Sequence, residues 1–431
     1  MRLYKMELYK ICSKKLFIFS VLASLAILLL FFWSFVIGAE STVNGVTYTG
    51  YQAVQMDREI TQEFKGALTD QKVAQIIEKY GFPYGVSEDY NVFLYRNYLN
   101  NFVMHGFSDG YYHDWEDYHV GTCTYPIAGT DLGKAGAATG KTLLLEYSYG
   151  WQVFTEVLQI GCVLGMALIV LTLAPVFSEE SYINTRQILF TTKEGKTGDV
   201  IARIAAGMTI AIGVYAVVVI LDFVLVWGVF GLDGLNCFYS QVMDEIKWIS
   251  DWNNYHNAST DYMRDFIGYY VFACFLGMTE TGAASLYFSA HCKSSFQSVI
   301  ATAMSLLVPL LLFMLSDIRG VFFYMCNMFV LILPGIALMC FVSGIANKVF
   351  SFIVKTVCCM FPVVVGYLLR RRFMFYTALP VWLIMRNMYS NMGIWRSLYP
   401  WMQPAVFCFA AALSVIFIVC SWKKYRFLYS S

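Results

Sequence analysis

Long apolar segments divide this sequence, and they constrain its fold more than any other feature. An α-helix rises about 1.5 Å per residue, so roughly 20 apolar residues cross a hydrocarbon core of about 30 Å. Seven segments approach or exceed that length: 16–39, 153–177, 201–230, 266–290, 298–316, 321–345 and 404–421. The sequence therefore predicts an all-α polytopic membrane protein.

The composition agrees with this class. Charged residues make up 14% of the chain and hydrophobic residues 58%, whereas soluble domains hold about 25% and 45–50%. Such a chain cannot cover a water-facing surface, so most of its apolar side chains must face lipid or other helices. The net charge of +1 gives no support for a nucleic-acid partner, because such a partner requires a clustered basic surface.

The number of spans depends on an eighth segment and on the charges at the two ends. Residues 352–369 are apolar except for Lys355. Either they span, or they are re-entrant and 373–389 crosses instead. Basic residues lie beside both termini, which the positive-inside rule places in the cytoplasm: Arg2, Lys5, Lys10, Lys14, Lys15, Lys423, Lys424 and Arg426. Because two cytoplasmic termini require an even number of crossings, we expect about eight transmembrane helices, or six with a re-entrant pair. The topology of residues 347–403 stays open.

The segment 40–151 lies between the first two spans and is then extracytoplasmic. Its roughly 110 residues suffice for a small domain. Thr69, followed by the amphipathic run 70–80, predicts a capped helix, and we find no strand-like alternation of any length. The sequence thus predicts a small, mainly helical extracytoplasmic domain. Whether Cys123 and Cys237 form a disulfide stays open.

Motifs for catalysis, cofactors and metals are not found. The segment 135–142 comes close to the phosphate-binding pattern of ATPases, but Ala135 stands where the first glycine belongs, and the segment is predicted to be extracytoplasmic. The five histidines form no metal-binding pair at ligand spacing. We therefore predict that the chain is not itself an enzyme, and that any ATP hydrolysis occurs in another chain.

Two carboxylates lie within predicted spans. Asp222 falls in the third span and Glu280 near the middle of the fourth. Ionisable groups in spans are costly and mark functional or pairing positions. Two interpretations are open: these carboxylates line a translocation path, or Glu280 pairs with a basic neighbour such as Arg203 or Lys355.

Several motifs resemble the ABC-2 type permease family, the membrane subunits of ABC transporters. Before the first span, Met6-Glu7-Leu8-Tyr9-Lys10 resembles the N-terminal elbow helix of these permeases. After the second span, Glu179-Glu180 leads into Arg186-Gln187-Ile188-Leu189-Phe190-Thr191-Thr192-Lys193-Glu194-Gly195-Lys196, which resembles the loop that docks on the ATPase, although Asn184-Thr185 stands where the family has a glycine. Weaker likenesses occur at 286–290 before Lys293, and at Ala378-Leu379-Pro380.

The resemblance implies a domain organisation and a set of functional residues. The elbow would occupy residues 1–15, the first transmembrane helix 16–39, the extracytoplasmic domain 40–151, and the transmembrane helical domain 152–431 with its coupling loop at 178–200. The ATPase-coupling residues would be Glu179, Glu180, Arg186, Leu189, Thr191, Thr192, Lys193, Gly195 and Lys196.

The resemblance also implies partners. The chain would pair with a second permease subunit, in a homodimer or a heterodimer, and with a cytosolic ABC ATPase subunit, in the lipid of a bacterial cytoplasmic membrane. Its cargo would be a peptide, drug, lipid or ion that is exported or expelled, as in the subgroup linked to lantibiotic immunity. The alternative is a membrane sensor or scaffold protein whose external domain binds a ligand without transport.

Overall fold

The computed structural model describes residues 2–80, 97–107, 126–183, 197–238, 262–314, 379–385 and 401–427, and this described chain is mostly helical. The helices are α1 (Arg2–Cys12), α2 (Lys15–Ile37), α3 (Tyr51–Glu63), α4 (Asp70–Tyr80), α5 (Tyr98–Phe107), α6 (Asp131–Thr139), α7 (Tyr149–Leu173), α8 (Pro175–Ile183), α9 (Gly198–Val229), α10 (Met263–His291), α11 (Ser295–Met314), α12 (Pro380–Ile384) and α13 (Met402–Phe427). The strands are β1 (Glu40–Val43), β2 (Val46–Thr49), β3 (Gly66–Ala67) and β4 (Leu144–Leu145).

Five helical stretches among the described residues are long and apolar enough to cross a membrane: Lys15–Ile37, Tyr149–Glu179, Gly198–Val229, Met263–His291 and Gln403–Tyr425. They confirm that five of the predicted spans form long apolar helices, and α11 lies on a sixth predicted span, 298–316. The predicted segments 321–345 and 352–369 lie outside the described residues. Of the alternative crossing 373–389, the structure describes 379–385, which holds the short helix α12.

The chain divides into two compact units. The first, here called the helical unit, comprises Met1–Ala26, Gln159–Val219 and Val271–Ser431. The second, here called the mixed unit because it contains the strands, comprises Ile27–Leu158 and Ile220–Tyr270. The mixed unit therefore holds residues from two separate parts of the sequence.

The residues of the mixed unit outside α2, α7, α9 and α10 are here called its polar part. This part begins with a β-hairpin, which the sequence analysis missed because it found no strand-like alternation. β1 and β2 pair antiparallel, with Val43 opposite Val46. Asn44 and Gly45 form the turn with φ angles of 51° and 78°. An Asn-Gly pair readily adopts two such left-handed conformations, whose twist matches that of the flanking strands. Since each strand has only four residues, alternation alone is too short to reveal it.

The core of the mixed unit joins these strands to α3, α4, α5 and α6. The predicted helix 70–80 is confirmed as α4, and Thr69 Oγ1 caps it by accepting a hydrogen bond from the Lys72 backbone N–H at 3.2 Å. The buried core residues are Val43, Ile60, Phe64, Leu68, Val73, Ile76, Leu99, Val103, Phe107, Leu132, Leu143, Leu145 and Phe238. Phe238 follows α9 in the sequence and is fully buried, so the predicted boundaries 40–151 omit part of this domain.

A break between α7 and α8 organises the helical unit. Pro175 has no backbone N–H and occupies the first position of α8, where a proline is well tolerated. The start of α8 is capped by Ser289 of α10, whose hydroxyl accepts from the N–H groups of Phe177 at 2.9 Å and Ser178 at 3.2 Å and donates to the carbonyl of Ala174 at 2.7 Å. One buried hydroxyl therefore satisfies three backbone groups of another helix.

Replacing Ser289 by alanine should destabilise the chain, because two buried N–H groups lose their acceptor, at a cost of about 1–3 kcal/mol. Ser285→Ala is the matched control. Ser285 is equally buried on the same helix, but its hydroxyl donates to Thr281 O of its own helix. Thermal unfolding of the purified chain in detergent should show a clearly larger fall in Tm for Ser289→Ala. Equal shifts for the two variants would contradict the capping role.

Candidate functional site

The predicted coupling loop begins on α8. Glu179 lies in this helix, and its Oε2 pairs with Lys14 Nζ at 2.5 Å. Glu180 lies in the same helix. The other predicted coupling residues lie outside the described residues: Arg186, Leu189, Thr191, Thr192, Lys193, Gly195 and Lys196. The Lys14–Glu179 pair joins residues 165 positions apart, so no sequence spacing could have indicated it.

The predicted elbow forms α1, which precedes the apolar helix α2. The Tyr4 hydroxyl donates to Thr209 Oγ1 on α9 at 3.0 Å, and Ile11 is buried. Glu7 and Lys10 lie one helical turn apart, with Nζ and Oε2 3.8 Å from each other. Together with Lys14, these contacts attach the N-terminal helix to α8 and α9 within the helical unit.

Glu280 lies in the most buried of the five membrane-crossing helices. In the apolar centre of α10, 72% of the residues are buried, against 11% for α2. The Glu280 side chain is itself buried, and its Oε2 has no hydrogen-bond partner among the described residues. A buried carboxylate at such a position is costly in a membrane. It is therefore a stronger functional candidate than its neighbours Thr279 and Thr281, whose hydroxyls donate to carbonyls of their own helix.

Close helix packing surrounds Glu280. A Cβ atom added at Gly282 would lie 2.8 Å from Ala211 Cβ of α9, and one added at Gly277 would lie 2.9 Å from the carbonyl of Pro380 in α12. Small residues at such contacts allow backbones in a membrane to approach closely. Both glycines lie within one turn of Glu280, so α10 is held tightly on either side of this carboxylate.

One of the two pairing partners proposed for Glu280 is engaged elsewhere. Arg203 Nη2 lies 2.8 Å from Asp199 Oδ2, one turn away on α9, and both residues are buried. Arg203 also donates to the carbonyl of Val176 at 3.4 Å. The other suggested partner, Lys355, lies outside the described residues.

Asp222, the second carboxylate predicted in a span, lies in α9 and is fully buried. Neither of its side-chain oxygens has a hydrogen-bond partner among the described residues. Asp222 belongs to the mixed unit and Glu280 to the helical unit. Each is a buried carboxylate, and each satisfies the criterion that marks a functional position within a span.

The mixed unit carries a polar cleft that the sequence analysis missed. Its volume is about 560 Å³, and it is lined by Gln55, Arg58, Glu59, Thr61, Gln62, Lys65, Glu146, Tyr147 and Asp233. Four of these residues lie on one face of α3, at positions i, i+3, i+4 and i+7: Gln55, Arg58, Glu59 and Gln62. This spacing is visible in the sequence. The opposite wall comes from segments about 90 and 180 residues further along the chain. The cleft as a whole is therefore not visible in the sequence.

Two further features of the sequence, the segment 135–142 and Cys237, lie among the described residues. The segment 135–142, which resembles a phosphate-binding loop, contains the end of helix α6, the cap residue Gly140 in a left-handed conformation, and Lys141 over the ring of Tyr262. Cys237 is a free thiol that donates to the carbonyl of Leu144 at 3.3 Å. Burial raises the pKa of Cys237 to about 12, so its thiol is protonated at neutral pH. Cys123 lies outside the described residues.

Comparison with known proteins yields no relative: no family model, no curated protein and no solved structure matches the chain. The likeness to ABC-2 type permeases therefore stays a prediction from the motifs quoted above.

Asp57 of α3 makes the stability of the mixed unit depend on pH. Burial raises the pKa of its carboxyl to about 6. Two hydrogen bonds oppose this rise, because its Oδ1 accepts from Ser41 Oγ at 2.6 Å and from the Tyr98 backbone N–H at 3.1 Å. In an unfolded chain the pKa would be about 3.9. The folded chain then binds the extra proton between about pH 4 and pH 6, so stability falls by about 3 kcal/mol as pH rises through that window and changes no further above it.

Asp57→Asn should remove this part of the pH dependence, because an amide keeps an acceptor for Ser41 and Tyr98 but carries no proton to lose. The measurement is thermal unfolding of the full chain in detergent at several pH values from 4 to 7. Relative to the native chain, the variant should gain stability towards pH 7. Glu78→Gln, at an exposed position of α4, is the control and should not gain stability relative to the native chain as the pH rises. A parallel pH profile for Asp57→Asn and the native chain would contradict the assignment.

Proposed function

We propose that this chain is the membrane-spanning permease subunit of a bacterial ABC transporter that exports or expels a peptide, drug, lipid or ion. In this proposal both termini face the cytoplasm, and the polar part of the mixed unit faces the outside. ATP hydrolysis takes place in a separate cytosolic ABC ATPase, and a second permease subunit completes the pathway. The apolar helices support a membrane location; the transporter assignment rests on the motifs and on the contacts described next.

The observation that carries the proposal is the ion pair between Lys14 and Glu179. A permease must pass movement from a loop that docks on its ATPase to the helices that cross the membrane. Glu179 stands on α8, the helical extension of the second span that leads into the predicted docking loop, and Lys14 stands between α1 and α2. The pair would make the elbow and the start of the coupling loop move together.

The buried carboxylates supply the second argument. Glu280 lies on the most buried spanning helix, and Gly277 and Gly282 bring neighbouring segments close on both sides. We assign Glu280, with Asp222, to the translocation path or to a helix interface that changes during transport. A well-packed helix with a buried carboxylate oxygen that has no hydrogen-bond partner among the described residues suits a group that meets its partner only in another state of the transporter.

Charge reversals test the coupling role of the ion pair. Lys14→Glu and Glu179→Lys should each lower the recovery of an ABC ATPase with the purified chain several-fold, because like charges then separate α8 from the elbow. The double variant Lys14→Glu/Glu179→Lys should restore recovery. Lys5→Glu makes the same charge change at an exposed position of α1 and should have little effect. If no ATPase is recovered with the native chain, the proposed function is contradicted. If the double variant recovers as little ATPase as Glu179→Lys does, the intrachain role of the pair is contradicted.

Glu280→Gln tests the translocation role, since the amide keeps the shape and removes the charge. Cells that carry the chain and its ATPase should lose most of their survival advantage against a panel of membrane-active peptides and lipophilic drugs, while the membrane yield stays normal. Thr281→Val alters the adjacent buried residue without touching a charge and serves as the control. Normal survival at normal yield would exclude a role for Glu280 in transport, and a fall in yield would show that it has a structural partner.

The polar cleft favours one other class, a membrane sensor whose external domain binds a ligand without transport. The two proposals differ in what they require of the cytoplasmic side. The sensor needs no ATPase, so an ATPase that co-purifies with the chain and supports survival in an ATP-dependent manner excludes it.

A further inference from the structure

The polar cleft of the mixed unit has the chemistry of a ligand site, whether or not the chain binds an ATPase or carries out transport. Its volume of about 560 Å³ falls within the range of about 300–1,000 Å³ that is typical of small-molecule sites. Such sites are usually lined by apolar groups, whereas this cleft is lined largely by charged and amide side chains. A ligand that fits it must therefore be polar.

Positive and negative groups face each other across the cleft. Arg58 Nη2 on α3 lies 3.9 Å from Asp233 Oδ2, and Lys65 Nζ lies 3.5 Å from Glu146 Oε1. Glu59 adds a third, exposed carboxylate on the α3 side. The cleft thus offers both a cationic and an anionic surface a few ångströms apart.

The two ion pairs differ in how firmly they are held. Glu146 is fixed from two sides, because its Oε2 also accepts from the Gly234 backbone N–H at 2.8 Å. Arg58 and Asp233 are 40% and 50% exposed at their side chains and lie at the long limit of an ion pair. Exposed pairs of this kind contribute at most about 1 kcal/mol. A ligand with charges of its own can therefore separate Arg58 from Asp233 at little cost.

We propose that the polar cleft binds a short zwitterionic peptide or amino acid, with the ligand carboxylate on Arg58 and its ammonium group on Asp233 and Glu59. Arginine suits the carboxylate because its planar guanidinium can form two parallel hydrogen bonds to it. Gln55 and Gln62, one turn to either side of Arg58 and Glu59 on the same face of α3, present amide groups that match a peptide backbone. Glu146, held by Gly234 and Lys65, forms the fixed wall.

Triglycine is a suitable probe, because each of its charges can be removed separately. Calorimetric titration of the full chain in detergent, at pH 7 and constant ionic strength, should detect triglycine binding. N-acetyl-triglycine, which lacks the ammonium group, and triglycine amide, which lacks the carboxylate, should each bind about tenfold more weakly or worse, the equivalent of about 1.4 kcal/mol. Higher salt should weaken the binding of triglycine.

Variants assign each charge to its residue. Arg58→Gln should bind triglycine and triglycine amide alike, because the contact to the carboxylate is gone. Asp233→Asn should reduce the preference for triglycine over N-acetyl-triglycine, while Glu78→Gln, outside the cleft, should behave as the native chain. No heat of binding for triglycine, or equal binding of the blocked peptides by the native chain, would overturn the proposal. Tighter binding of N-acetyl-triglycine than of triglycine would overturn it as well, since the cleft would then be an anion site.

Discussion

The need to satisfy every backbone polar group in hydrocarbon is the constraint on which the helical unit depends. Pro175 begins α8, the extension of the second span, and the first N–H groups of a helix have no carbonyl partners within that helix. Ser289 of α10 supplies the missing acceptor and also donates to Ala174. This contact fixes α10 against the junction of α7 and α8, and it thereby sets the position of two candidate functional residues, Glu280 on α10 and Glu179 on α8.

Burial separates the spanning helices into two kinds. α2 presents most of its apolar residues outward, whereas the apolar centre of α10 is mainly buried although α10 is the least apolar of the five. A helix that other helices surround can carry polar groups, because they bond within the protein instead of facing lipid. Thr281, Ser285 and Ser289 all do so. Among the described residues Glu280 Oε2 has no such partner, which is why the transport proposal assigns Glu280 to the translocation path or to a helix interface that changes.

Five of the spans were predictable because the rise of a helix and the thickness of the lipid core fix the length of the apolar segment. Helix α4 was predictable because Thr69 provides an N-cap before a clear amphipathic pattern. The hairpin at Asn44-Gly45 was predictable in principle from its turn residues, although its strands are too short for a pattern of alternation. The Lys14–Glu179 pair, the Ser289 cap and the cleft could not be predicted. Each joins residues far apart in the sequence, and its formation depends on tertiary packing that no local pattern records.

Sidedness tests the account most directly, since a permease with its coupling loop in the cytoplasm requires the polar part of the mixed unit to lie outside. Single cysteines at Glu78 on α4 and at Lys293, in the turn between α10 and α11, can be compared with the parent chain by labelling with an impermeant maleimide. The account predicts that intact cells label Glu78→Cys, whereas Lys293→Cys reacts only after the membrane is opened. Labelling of Lys293→Cys in intact cells, or protection of Glu78→Cys, would contradict the orientation and with it the proposed docking of an ATPase.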